Sequence, residues 1–161
     1  MAASCSGRYN PSAVSLILDA RDSVWRSHSE AHWEIRLGAA LPLHPEHTYK
    51  LQVDFFQCGL LSQKALASLD KVCPFFVVSK TLCLPQVVGP RRLEVLGVAS
   101  YRPAADIVEY QRVPFTTLNI RNLDSNPPVD VQLTDRFGTP LNKDLFDQTI
   151  PVVLGIRLIP E

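Results

Sequence analysis

The chain has 161 residues, with 16 basic (Lys and Arg) and 16 acidic (Asp and Glu) residues and a formal net charge of +0 at pH 7. A chain of this length suits one domain and can bury a core that needs no disulfide. Because the charges balance, no overall field attracts a polyanion, which argues against a strongly basic protein that binds nucleic acid or an anionic membrane.

The N-terminal part of the sequence predicts an arm followed by two strands. Residues 1–12 are small and polar and predict a flexible arm, whereas residues 13–161 predict a single domain. Residues 13–19 are mostly apolar and predict the first strand, and the charged residues 20–31 predict a loop. In residues 33–37 apolar side chains alternate with charged ones. That alternation predicts a second strand with one buried face.

The middle of the chain predicts a third strand and one short helix. The clearest alternation covers residues 49–55, where apolar residues up to Phe55 alternate with polar ones. We therefore expect all of these apolar side chains on one buried face. Between residues 59 and 72 the apolar spacing changes to four residues, which predicts one short helix with Ser62 as its N-cap. Pro74 ends this helix.

The C-terminal half predicts further strands and fixes the fold class. Residues 75–84 and 92–100 are rich in apolar residues, residues 118–121 and 129–134 alternate, and residues 152–159 are almost wholly apolar. About eight strands, one short helix and no βαβ alternation predict an all-β protein with an antiparallel β-sandwich. Among such folds we favour a single jelly roll. Periodicity alone does not separate it from an immunoglobulin-like sandwich, although the missing Cys, Trp, Cys framework argues against the latter.

The cysteines and the N-terminus indicate a reducing compartment. The four cysteines show no spacing of two residues, which a zinc ribbon or a redox motif requires, so we expect reduced and mostly buried thiols. They are Cys5, Cys58, Cys73 and Cys83. The N-terminus has no apolar signal segment, and no stretch holds the ~20 apolar residues of a membrane helix. These features predict synthesis in the cytosol or nucleus and no membrane span.

No pattern in the sequence indicates catalysis, a cofactor or a metal. His28 and His32 are four residues apart, and His44 and His47 are three apart, but neither segment is predicted to be helical, so we expect exposed loop histidines. Nucleophile elbows, phosphate-binding loops and dinucleotide fingerprints are not found. The aspartates that end apolar runs are interpreted as turn residues. These are Asp19, Asp22, Asp135 and Asp147.

Two blocks of the chain resemble a known family. Residues 33–43 and 49–56 are similar to the pattern near the start of single jelly-roll penton (vertex) proteins of Polintons, adintoviruses, virophages and related double-stranded DNA viruses such as adomaviruses. In that family an aromatic-led strand reaches a Leu-Pro-Leu corner, and the next strand carries the chain back. Residues 115–121, 131–140 and 150–157 resemble the C-terminal strands of the family. The resemblance covers about half of the chain and consists of hydrophobic and turn patterns.

The resemblance implies a structural, non-enzymatic capsid protein. Such a protein forms a homopentamer at an icosahedral vertex, flanked by a double jelly-roll major capsid protein, and it can meet a host receptor. It is made in the host cytoplasm, is found in the virion, and binds no specific nucleic acid. The charged residues 21–30 and the polar residues 122–127 are then expected to lie at exposed tips. The expected contact residues are Arg21, Asp22, Trp25, Asn122, Asp124 and Asn126.

Two other functions stay open on the sequence alone. The first is a jelly roll that binds a receptor or a carbohydrate, in which Trp25 supplies the stacking platform. The second is a small enzyme or cupin-like metal protein. A cupin site needs histidines and a carboxylate that converge inside the barrel, whereas all four histidines here fall between His28 and His47, mostly in predicted loops.

Overall fold

The computed structural model describes residues 12–38, 41–44, 46–59, 74–102, 107–112, 116–117, 128–147 and 149–161. The predicted short helix, most of the N-terminal arm and the loop at 122–127 lie outside these residues. Two 3₁₀ turns, Ala20–Asp22 and Lys143–Leu145, join strands, and no helix in the described ranges is long and apolar enough to cross a membrane. The strands are β1 (Val14–Asp19), β2 (Ser23–Arg26), β3 (His32–Ile35), β4 (Tyr49–Gln57), β5 (Phe75–Val78), β6 (Gln86–Val88), β7 (Arg91–Leu93), β8 (Val95–Arg102), β9 (Ile107–Arg112), β10 (Thr116–Thr117), β11 (Val129–Thr134) and β12 (Val153–Pro160).

The strands form two antiparallel sheets whose order alternates between early and late parts of the chain. One sheet has the order β1-β12-β4-β10, and the other has the order β2-β3-β11-β5-β8-β9. The first strand lies beside the last, and β3 lies beside β11, so segments far apart in the sequence pair in both sheets. A separate hairpin is formed by β6 and β7. This order is that of a jelly roll, and the prediction of an all-β antiparallel sandwich is confirmed.

The core lies between the two sheets. Because successive side chains of a strand point to opposite faces, each strand gives alternate apolar residues to the interior. The strands β1, β4 and β12 supply one layer, and β3, β5 and β11 supply the facing layer. Among the core residues are Leu16, Leu18, Leu51, Val53, Leu154, Ile156 and Leu158 from the first sheet, and Trp33, Ile35, Phe75, Val77, Val129, Val131 and Leu133 from the second.

A β-bulge in β4 changes which face its aromatic residues occupy. Gly155 of β12 lies opposite Phe55, whereas the next residue of β12 pairs with Val53, so Asp54 is the extra residue. The bulge moves Phe56 to the inner face, where it packs against the core, and leaves Phe55 on the outer face with 45% of its surface exposed. The prediction that Phe55 shares the buried face is therefore wrong, because one inserted residue reverses the alternation.

Three further predictions of local structure are wrong. The segment predicted as a loop at 20–31 contains β2, which pairs with β3. The segment predicted as one strand at 75–84 is β5 followed by a turn, and the segment at 92–100 is divided between β7 and β8. Two of these strands belong to antiparallel pairs of neighbouring segments that the apolar pattern does not reveal: β2 pairs with β3, and β7 pairs with β6 across a turn at Gly89 with φ of +58°.

Candidate functional site

One flank of the sandwich consists of β1 and β2, which are edge strands of different sheets. We call residues 14–26 the β1–β2 flank. Among the strands in the described part of the chain, each of these two has a partner on one side only. It exposes three large apolar side chains, Ile17 at 67%, Val24 at 56% and Trp25 at 46%. Open strand edges that carry exposed apolar residues are typical of surfaces that bind another chain.

The turn between the two edge strands is a fixed corner with an ion pair. The carboxylate of Asp19 accepts hydrogen bonds from the backbone N–H of Arg21 at 2.9 Å and from its Nη2 at 2.6 Å. The hydrogen bond from the Arg21 guanidinium holds the pKa of Asp19 below its usual value. The Arg21 side chain is 72% exposed, and Asp22 beside it is also exposed. The corner therefore presents one cation and one anion to any neighbour.

A small cleft of about 70 Å³ opens beside this corner. Its floor is apolar, and Arg21, Arg26 and Asp147 contribute polar groups to its lining. The apolar lining residues include Trp33, Phe146, Ile150 and Val152. Pockets for cofactors and drug-sized ligands have volumes of roughly 300–1,000 Å³, so this cleft suits a single side chain rather than a small-molecule substrate.

A row of polar and aromatic side chains crosses β2, β3 and β11. The ring of Trp25 meets that of His32 edge-on, with 4.9 Å between the centroids and 72° between the planes. Nε2 of His32 lies 3.2 Å from Nε2 of Gln132, within hydrogen-bonding distance. We call these residues the Trp25–His32–Gln132 row. His32 is half-buried on a strand, so the prediction of an exposed loop residue is wrong for it, although His28 is exposed as expected.

Asp130 is a buried carboxylate that the sequence patterns did not single out. It is 8% exposed and accepts hydrogen bonds from the Thr81 hydroxyl at 2.6 Å, from the Thr81 N–H at 2.8 Å and from the Ser79 hydroxyl at 3.3 Å. These bonds hold the turn that ends β5. Asp130 alternates with Val129 and Val131 and faces away from the core, but the turn covers it. Its contacts explain a structural role and leave it ill suited to acid–base chemistry.

The outer face of the four-stranded sheet carries a row of exposed apolar residues. Ile17, Gly155 and Phe55 lie side by side on β1, β12 and β4. Salt bridges lie on the same sheet: Nη2 of Arg157 is 2.9 Å from Oδ2 of Asp54, and a second pair joins β4 to the last residue of the chain. An apolar row with charged neighbours is typical of a protein contact surface.

The thiols and the residue types that bind metals are the remaining candidates for a chemical centre. In the part of the chain that the structure describes, no group of three or more His, Cys, Asp or Glu could hold a metal ion. Cys58 and Cys83 form no disulfide within the described residues, and burial raises the pKa of Cys58 to about 12. Cys5 and Cys73 lie outside the described residues.

The structure brings three of the predicted contact residues together. Arg21, Asp22 and Trp25 all lie on the β1–β2 flank, within a 3₁₀ turn and the strand that follows it. The other predicted contacts, Asn122, Asp124 and Asn126, lie outside the described residues. Comparison of the chain with protein-family models, with curated proteins and with solved structures found no match. The function therefore has to be argued from topology and surfaces.

Proposed function

We propose that this protein is a structural viral capsid subunit of the penton type, which forms a closed ring at an icosahedral vertex through heterologous contacts. The observation that carries the proposal is the single jelly-roll order of the strands, combined with the exposed apolar edge strands of the β1–β2 flank. A fold alone does not specify function, so the jelly roll supports the proposal by analogy only. The resemblance to vertex proteins, which covers residues 33–43, 49–56, 115–121, 131–140 and 150–157, points the same way.

The two ends of the sandwich differ in a way that suits a ring. The β1–β2 flank forms one end of both sheets, and β9 and β10 form the other end. A contact between one end of a subunit and the opposite end of the next uses two different surfaces. Such a contact is heterologous, and it makes a ring when the rotation closes. Val24 and Trp25, with the corner at Arg21, then lie in the subunit interface.

The outer face of the four-stranded sheet offers a separate surface for the neighbouring capsid protein. Ile17 and Phe55 are exposed there on either side of Gly155. In this proposal the ring uses the ends of the sheets, and the double jelly-roll major capsid protein contacts the outer face in the virion. The two kinds of contact therefore do not compete for the same strands, except near β1.

The test is the solution mass of the purified full chain, measured by size exclusion with light scattering at several protein and salt concentrations. A pentamer is expected. Val24→Asp places a charge on the β2 edge and should shift the pentamer to monomer. Val87→Asp is a matched control, because Val87 is 78% exposed on the β6–β7 hairpin. A trimer, or a pentamer that Val24→Asp leaves intact, contradicts the proposed ring.

A second candidate function is recognition of a receptor glycan by the Trp25–His32–Gln132 row. The observation that favours it is an indole that is 46% exposed beside a histidine and an amide, since aromatic faces and planar polar groups together bind sugars. Glycan-array binding that disappears in Trp25→Ala and persists in Trp25→Phe would support this candidate. An array without a bound glycan rules against it.

A further inference from the structure

A surface outside the β1–β2 flank combines two arginines with one exposed aromatic ring. Phe137, in the turn that follows β11, is 48% exposed. Cζ of Arg136 lies 4.6 Å from the centroid of its ring, and Cζ of Arg91, on the β6–β7 hairpin, lies 5.3 Å from it. We call Arg91, Arg136 and Phe137 the arginine–phenylalanine patch. Both guanidinium groups are within the distance at which the ring attracts a cation.

The turn that presents this patch is held in one conformation. Oδ1 of Asp135 accepts the N–H groups of Phe137 at 2.8 Å and Thr139 at 3.0 Å. Gly138 has φ of +83°, where a residue with a side chain is strained, and a Cβ there would lie 2.7 Å from Cδ2 of Leu93, which would have to move. The closeness of Gly138 to Leu93 places the turn against the β6–β7 hairpin. A binding group held in this way loses little conformational entropy when a partner docks.

The charges of the patch are unbalanced within the described part of the chain. There, neither Arg91 nor Arg136 has a carboxylate oxygen within 4.0 Å of a guanidinium nitrogen, whereas Arg21 and Arg157 are paired with Asp19 and Asp54. The carboxylate of Asp135 points to backbone N–H groups of its own turn. Two guanidinium groups at one ring therefore form a local excess of positive charge on a chain with net charge +0.

We propose that the arginine–phenylalanine patch binds an acidic, partly apolar peptide segment of a protein partner. Planar guanidinium groups bind carboxylates through two parallel hydrogen bonds, and two of them can hold neighbouring acidic side chains. Val88 lies directly opposite Arg91 across the hairpin and therefore on the same face, and its half-buried side chain offers an apolar contact beside the arginine. This inference does not depend on the proposed capsid function.

A peptide explains these features better than a nucleic acid. Binding of a nucleic acid generally relies on several phosphate contacts, whereas the patch contains two arginines, with Arg92 next to them in sequence but on the opposite face of its strand. Two cations already lie at the ring of Phe137, which reduces the face available for stacking on a base.

The experiment measures fluorescence anisotropy of a labelled eight-residue peptide of alternating leucine and glutamate, titrated with the full chain at low salt. A matched peptide has glutamine in place of every glutamate, and a short DNA duplex with the same label is the third probe. Saturable binding of the glutamate peptide is expected. Loss of one charged contact should weaken it about tenfold in Arg136→Gln and in Arg91→Gln. Arg36→Gln removes one exposed positive charge elsewhere and should change the affinity by less than about twofold.

Arg91 and Arg136 lie on different segments, so if one variant does not fold, the other still measures the contribution of the patch to peptide binding. Thermal melts of all variants verify that they fold. No saturable binding of the glutamate peptide, or equal binding of the glutamine peptide, overturns the proposal. Equal losses in Arg36→Gln and Arg136→Gln also overturn it, since they indicate non-specific charge attraction. Tighter binding of the DNA duplex that Arg136→Gln abolishes assigns the patch to nucleic acid instead.

Discussion

Phe55 lies directly opposite Gly155 across β4 and β12, and its ring covers the space that a side chain at Gly155 would occupy. The glycine is needed because the bulge at Asp54 turns this aromatic residue outward and lays it across the neighbouring strand. The bulge in β4 therefore explains why β12 requires a glycine opposite Phe55.

Replacement of Gly155 by alanine should destabilise the protein by about 1–3 kcal/mol, because the added Cβ forces the Phe55 ring away from the sheet. The measurement is the free energy of unfolding in urea. Phe55→Ala alone should cost less than about 1 kcal/mol, since the ring is half-exposed. The double variant should be more stable than the sum of the single effects predicts. Strict additivity would show that the ring does not block this position.

Replacement of Asp130 by alanine should destabilise the protein by about 3 kcal/mol, because the Thr81 and Ser79 hydroxyls and the Thr81 N–H lose a buried charged acceptor. Urea unfolding monitored by tryptophan fluorescence gives the value. Asp144→Ala is the control, since Asp144 is exposed in a 3₁₀ turn, and it should change stability by about 0.5 kcal/mol or less. Equal effects of the two substitutions would contradict the role given to Asp130.

The ion pair of Asp19 and Arg21 should stabilise the folded protein near neutral pH and should lose this effect in acid. The pKa of Asp19 is lowered from its usual value of 3.8 by the Arg21 hydrogen bond, so the unfolded state takes up its proton first as the pH falls. The contribution is therefore present above pH 3.8 and is lost as the pH falls through the lower folded value. The melting temperatures of the native protein and of Asp19→Asn, measured from pH 6 downwards, should converge in strong acid. A constant difference would mean that the carboxylate charge is not responsible.

Cys58 should resist alkylation in the folded protein. Burial raises the pKa of its thiol from 9.0 to about 12, so the thiolate fraction at pH 8 is roughly a thousandfold lower than in the unfolded chain. Peptide mass spectrometry after timed treatment with iodoacetamide measures the rate at this one residue, and the same protein in urea is the control. Because the folded state holds the thiol proton more tightly than the unfolded state does, the free energy of unfolding should also fall at alkaline pH. This contribution of the protonated thiol is complete below pH 9.0 and is lost as the pH rises towards about 12. Equal alkylation rates in the two states would disprove the burial of this thiol.

The sequence by itself predicted the strands whose pattern is local. Residues 13–19, 129–134 and 152–159 were recognisable because apolar residues dominate or alternate within them, and each pattern needs only the segment itself. The same reasoning placed the chain among antiparallel sandwiches. It also singled out Arg21, Asp22 and Trp25 as exposed, which they are in the structure.

Only the tertiary structure decided the features that depend on partners far along the chain. Asp130 was buried by a turn about 50 residues earlier in the chain, and His32 was fixed by Gln132, which lies 100 residues later. The arginine–phenylalanine patch likewise exists because the turn after β11 meets the β6–β7 hairpin. Hydrogen bonds and ring contacts between distant segments leave no periodic trace in a sequence, since periodicity records which face of a strand is buried and not what covers it.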